Sequence, residues 1–159
     1  MELKRVVITG LGAITPLGND VATTWENAKA GVSGAGPITH FDASLFKTQF
    51  ACEVKGFKAE DHFDRRKARQ LDLYAQYAIV AARQAVADAG LDAEGADIDK
   101  NRIGVIVAAG IGGLHTFEEE AGYYALNADK GPKYNPFFIP KMIADIASGH
   151  ISMEYGYHG

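Results

Sequence analysis

The chain has 159 residues, 47% of them hydrophobic and 23% charged, with a formal net charge of −4; that balance excludes a largely disordered chain and a general electrostatic hold on nucleic acid. Its single cysteine, Cys52, excludes an internal disulfide framework and a cysteine-rich zinc site. No apolar run approaches the roughly 18 residues of a membrane span, and the stretch after Met1 ends at Gly10, too short for a signal-peptide core, so the expectation is a cytoplasmic protein without membrane attachment.

In chain order, Arg5-Val6-Val7-Ile8-Thr9 is a β-branched run bounded by glycine, the pattern of a strand buried on both faces. Asn19-Asp20 offers a helix cap, residues 21–30 have helical composition, and Gly31 suits the end. Residues 31–48 read as a long connection, and Phe50-Ala51-Cys52-Glu53-Val54 as a weakly alternating edge strand. The clearest helix spans about 72–89: Tyr74, Ala78, Ala81, Ala85 and Ala89 share one stripe, Tyr77 and Val80 widen it, and Gly90 stands just past the end. The acidic, polar residues 91–101 form a loop. Ile103-Gly104-Val105-Ile106-Val107-Ala108-Ala109 reads as a second buried strand that runs into Gly110-Ile111-Gly112-Gly113 and then a helix through Glu118-Glu119-Glu120. Phe137-Phe138-Ile139-Pro140 is an apolar loop, and residues 142–147 and 150–155 are two short helical turns separated by Ser148-Gly149. Strand, helix, strand, helix argues for an α/β layered fold with a mainly parallel sheet, although few strands are visible.

Chemistry-bearing residues are sparse. Gly10-Leu11-Gly12-Ala13-Ile14-Thr15 follows a strand as a dinucleotide fingerprint does, but Thr15 stands where the third glycine belongs; the residues at Gly110 fail likewise at His115. These glycines are read as turns. The five histidines, at 40, 62, 115, 150 and 158, show no ligand spacing, so no metal site is expected, and His150 reads as a packed residue bonded to backbone. Cys52 has no helix N-terminus or base nearby in sequence and reads as buried filler rather than a nucleophile. Glu118-Glu119-Glu120 suits the early part of a helix. Asp64-Arg65-Arg66-Lys67-Ala68-Arg69 is the one dense basic stretch of an acidic chain; it is either a solvated turn or a docking patch for an acidic partner.

Taken together, Val6-Val7-Ile8-Thr9-Gly10-Leu11-Gly12-Ala13-Ile14-Thr15-Pro16-Leu17-Gly18, Trp25, Gly31-Val32-Ser33-Gly34, His40-Phe41-Asp42, Gly110-Ile111-Gly112-Gly113, Asn135-Pro136-Phe137-Phe138-Ile139-Pro140 and Gly149-His150-Ile151-Ser152 resemble the type II β-ketoacyl-[acyl-carrier-protein] synthases. The resemblance implies a thiolase-like αβαβα layered fold, of which residues 1–159 are an incomplete N-terminal half, a truncated part of the synthase domain. It implies condensation of an acyl thioester with malonyl-carrier protein and loss of carbon dioxide, through a cysteine nucleophile, two histidines and a lysine. In the family the nucleophile follows shortly after the step matched by Tyr155-Gly156-Tyr157-His158-Gly159; Cys52, His150 and His158 do not match catalytic positions, so no catalytic residue is expected here and the chain alone should be inactive. By position, Ile111 matches a residue lining the acyl pocket, and Phe138 one near the pocket end, where a partner subunit of a homodimer contributes. Arg66 and Arg69 match basic positions that receive the acidic acyl carrier protein, while Gln70 replaces a frequent further cation. No cofactor is implied beyond the carrier's phosphopantetheine arm, and no nucleic-acid or membrane partner. A carrier-binding module without chemistry and a small nucleotide-binding protein are the competing readings, and the isolated chain is expected to fold only marginally because its strands leave edges unpaired.

Overall fold

The computed structural model describes residues 4–159. Two compact units form, one from the described residues up to Phe57 with Ala81–Ala96, the other from Lys58–Val80 and Asp97–Gly159.

In the first unit, helix α1 (Val21–Lys29) starts where expected because the Asp20 carboxyl accepts the Thr23 amide proton at 2.6 Å. It is followed by Gly31 at φ 70°, a left-handed turn that costs glycine little. Strands β1 (Gly36–Pro37) and β2 (Phe50–Ala51) pair antiparallel, so the expected edge strand exists but is only two residues long. Cys52, just beyond it, is exposed rather than buried filler: it follows the last paired residue of a sheet that has only these two strands among the described residues.

Residues 5–9 pair with no described strand, and Val6 and Ile8 are 89% and 83% exposed. The run expected as a doubly buried strand is therefore corrected: among the described residues no neighbouring strand supplies its ladder. The following residues instead lie against the C-terminal half of helix α3 (Leu73–Asp88). A Cβ on Gly12 would stand 1.9 Å from the Ala81 carbonyl oxygen, and one on Gly10 2.3 Å from that of Ala85. The amides that follow each of them are already engaged, Leu11 with Asp88 Oδ2 at 2.8 Å and Ala13 with Gln84 Oε1 at 3.0 Å. These glycines thus serve helix approach, and two of the N–H groups that a pyrophosphate would need are spent on side chains, which supports the turn reading.

Helix α3 matches its expected span. It closes with the Gly90 amide on the Ala87 carbonyl at 3.0 Å and the Leu91 amide on that of Val86 at 3.1 Å, with Gly90 at φ 66°. Its buried face differs from the expected stripe. Ala81 and Ala85 meet the glycine segment and stay half-buried, whereas Ala75, Gln76, Ile79, Val80 and Val86 are buried.

The second unit holds the larger core: Phe63, Leu71, Ala75, Ile79, Val80, Ala147 and Ile151. Helix α2 (Arg65–Gln70) is capped by Asp64, which accepts the Lys67 amide proton at 2.8 Å. Residues 103–109 alternate between half-buried and exposed, with Ile106 97% exposed, and pair with no described strand. The expected parallel sheet is thus replaced, among the described residues, by the β1–β2 pair alone. Helix α4 (Leu114–Leu126) starts directly after the glycine turn, as expected. Helix α5 (Phe138–Met142) replaces the expected apolar loop; Pro140 falls in its first turn, where a missing N–H is harmless. Helix α6 (Ile146–Tyr155) runs unbroken through Ser148-Gly149, where two separate turns were expected, and the Ser148 hydroxyl accepts from the Val107 amide at 3.0 Å. Among the described residues no helix is long and apolar enough to cross a membrane.

Candidate functional site

The glycine turn ahead of α4 builds an apolar concavity in the second unit. Gly112 has φ 85°, and a Cβ there would meet the Met142 carbonyl oxygen at 2.3 Å; one on Gly113 would meet that of Lys141 at 2.5 Å. Only glycine permits this approach, which is locked by the Gly113 amide on the Met142 carbonyl at 2.9 Å. It brings Ile111, Leu114 and Phe117 opposite Met142, Ile143 and Ala144 around an apolar cavity of about 440 Å³.

Two polar side chains at the start of α3 brace this cavity from behind. Asp72 is 7% exposed, and its carboxyl accepts from the Thr116 hydroxyl and, at 3.3 Å, from the Thr116 amide. The Tyr74 hydroxyl donates to the Ile143 carbonyl. Burial pushes the Tyr74 phenol above its ordinary 10.0, and the nearby carboxyls of Asp72 and Asp145 add to the rise, so the group stays a donor at neutral pH. Of the positions singled out in the sequence, Ile111 lines the cavity. Phe138 does not line it but stacks on Phe117, with ring centroids 6.3 Å apart, and on Tyr134 at 5.6 Å. Sequence reasoning missed Leu114, Phe117, Met142, Ile143 and Ala144. The helical spacing of Leu114 and Phe117 after the glycine turn was the available signal; the approach of residues 142–144 had none.

A second concavity of about 500 Å³ is lined by Arg65, Arg66, Arg69, Gln70 and Phe137. Helical spacing puts these three exposed guanidinium groups on one side of α2. Lys67 leaves that side and places its ammonium 3.0 Å from Nδ1 of His150 on α6. An ammonium has no acceptor, so His150 accepts through Nδ1 and is neutral in this arrangement. Burial first, and the Lys67 charge second, hold its pKa below the ordinary 6.5. The expectation of a histidine bonded to backbone is corrected: its partner is a side chain. The structure thus brings Arg66 and Arg69 together and adds Arg65 and Phe137, while one of the four cations of the basic run is diverted.

Residues 3–159 match the family model for the N-terminal domain of β-ketoacyl synthases. The 3-oxoacyl-[acyl-carrier-protein] synthase 2 of Staphylococcus aureus (strain N315) is 50% identical over 157 residues, covering 98% of this chain and 37% of the relative. That of Coxiella burnetii (strain RSA 493 / Nine Mile phase I) is 44% identical over 159 residues, again 37% of the relative. The chain thus spans little more than a third of the length of these curated relatives. Among solved structures, a type II PKS ketosynthase in complex with its acyl-carrier protein and bound to the hexaketide superposes with a TM-score of 0.76 at 26% identity, over 98% of this chain and 40% of that one. A β-ketoacyl synthase from Burkholderia phymatum STM815 shares the fold, with a TM-score of 0.77 at 24% identity, over 99% of this chain and 38% of that one. The layered α/β fold class is therefore that of the ketosynthases.

Proposed function

We propose, since this chain belongs to the β-ketoacyl synthase family, that it forms the acyl-pocket wall and the carrier-docking face of a 3-oxoacyl-[acyl-carrier-protein] synthase of fatty acid biosynthesis. In that reaction a cysteine thiolate takes the acyl group from its thioester, malonyl on the carrier protein loses carbon dioxide, and the carbanion so formed attacks the enzyme-bound thioester, returning the thiolate. The apolar cavity around Ile111 suits an acyl chain, because burying methylenes against apolar side chains contributes about 0.8 kcal/mol each. Phe138, stacked on Phe117, would lie near the end of the pocket, where the second subunit of a homodimer would complete it. Arg65, Arg66 and Arg69 suit an acidic carrier protein, which would bring the substrate on its phosphopantetheine arm, so that no further cofactor is required. A cytoplasmic location fits that partner.

The observation that carries this reading is the Gly112-Gly113 approach, which places Ile111 on the wall of an apolar cavity. The residues present do not perform the chemistry. Cys52 is exposed beside β2 and has no base bonded to it among the described contacts; His150 is held by Lys67. The test is an assay of the purified 159-residue chain with radiolabelled acyl- and malonyl-carrier protein. Carrier binding without carbon–carbon bond formation is expected, and covalent acylation of Cys52 or measurable condensation would overturn the reading. The exposed arginine concavity also favours a second reading, a carrier-binding module without chemistry of its own, which predicts binding but no gain in condensation when this chain is supplied as part of the complete synthase.

A further inference from the structure

We infer that Asp72 and Tyr74 are positioning residues that set the separation of the two walls of the apolar cavity, and through it the length of acyl chain accepted; the inference rests on the reading of that cavity as an acyl pocket. One wall is the first turn of α4, with Leu114 and Phe117, and the other is Met142–Ala144. Each wall hangs from one side chain at the start of α3. The Asp72 carboxyl holds Thr116, between Leu114 and Phe117, through both hydroxyl and amide. The Tyr74 hydroxyl holds the carbonyl of Ile143. The two anchors are tied to each other, since the Tyr74 amide donates to Asp72 Oδ1 at 3.3 Å. Neither side chain lines the cavity, so their influence passes through the backbone they hold.

The chemistry of these anchors matters. Asp72 sits beside apolar core residues, Leu71 and Ala75, where an aliphatic residue would be cheaper to bury than a carboxyl group. Apolar packing tolerates sliding of the packed surfaces, whereas a hydrogen bond fixes direction and separation within a few tenths of an ångström. The same carboxyl also faces the glycine turn, where a Cβ on Gly113 would stand 3.0 Å from Asp72 Oδ2, so a side chain at Gly113 would push against the brace. A polar brace at this place therefore fixes a gap, which a greasy contact would leave adjustable.

The test is a chain-length profile of the complete synthase, with acyl-carrier substrates from short to long, for Tyr74→Phe, Thr116→Val and Thr116→Ser. Removing either hydroxyl is expected to change the long-to-short ratio of kcat/KM by about 3- to 10-fold, the scale of one lost hydrogen bond, with carrier affinity unchanged. Thr116→Ser keeps the hydroxyl and should restore the native ratio, which a loss of general stability would not do. Ile111→Phe fills the cavity directly and serves as the reference. If Ile111→Phe alters the profile while Tyr74→Phe and Thr116→Val leave it within twofold, the positioning role is overturned. If Ile111→Phe also leaves it unchanged, the acyl-pocket reading falls and this inference falls with it. Should Thr116→Val fail to fold, Tyr74→Phe, which keeps the ring and its packing, decides the matter alone.

Discussion

The apolar and the basic concavity of the second unit are built by opposite means. The apolar one is made of backbone approach: glycines without side chains, a carbonyl locked at 2.9 Å, and a buried carboxyl behind it. The basic one is made of side chains, three exposed guanidinium groups and Gln70 on a six-residue helix with Phe137 beside them. The first is a property of how segments far apart in sequence are joined and should be rigid and intolerant. The cationic face of the second is a property of local spacing; it should tolerate substitution structurally and respond to charge and salt.

The hardest blow to this contrast would be a harmless change in the glycine turn. Gly112→Val places a branched side chain at φ 85° with its Cβ 2.3 Å from the Met142 carbonyl, and strain plus clash should destabilise the protein by about 3 kcal/mol or more. Chemical denaturation measures this, and a loss under about 1 kcal/mol would mean that the approach is adjustable. Charge reversal of the pair Arg66→Glu and Arg69→Glu comes next. Carrier affinity should fall roughly 30-fold, about 2 kcal/mol, with stability moved by less than about 0.5 kcal/mol. Calorimetric titration at two salt concentrations checks it: the native protein should lose affinity in high salt, and the variant should lose little more.

The smallest effect is a pH dependence that lies behind the basic helix. His150 binds its proton more weakly in the folded chain than its ordinary 6.5. As pH falls through 6.5 the unfolded chain takes up a proton that the folded chain refuses, so stability is fully present above 6.5 and declines below it until the folded His150 also titrates. Thermal melts of wild type and His150→Gln between neutral pH and mildly acid pH check this; the variant should lose that part of the acid slope. A slope of the opposite sign would mean that Lys67 does not face a neutral imidazole.

Helices α1, α3 and α4 were readable because their signals are local, while α2 was read only as a basic turn, α5 as a loop and α6 as two turns. Asp20 and Asp64 cap helices three residues away, and Gly90 closes α3 through bonds that span at most five residues. Those contacts form whatever the rest of the chain does, and the basic face of α2 follows from the same helical spacing. The strands were misread for the complementary reason. Residues 5–9 and 103–109 have strand composition, but a strand exists only where a neighbour supplies its hydrogen bonds, and among the described residues none does.

Caps, helical spacing and motif order by themselves determined helices α1, α3 and α4 and the family, because each depends on residues within a few positions of one another or on a pattern of residue types. Tertiary structure alone decided that Gly10 and Gly12 admit α3, that Cys52 is exposed, that Lys67 turns to His150, and that Asp72 and Tyr74 hold opposite walls of one cavity. Thr116 lies 44 residues from Asp72 and Ile143 lies 69 from Tyr74; burial and hydrogen-bond partnership over such separations are set by which surfaces the folded backbone brings together, and neither residue type nor spacing encodes that locally.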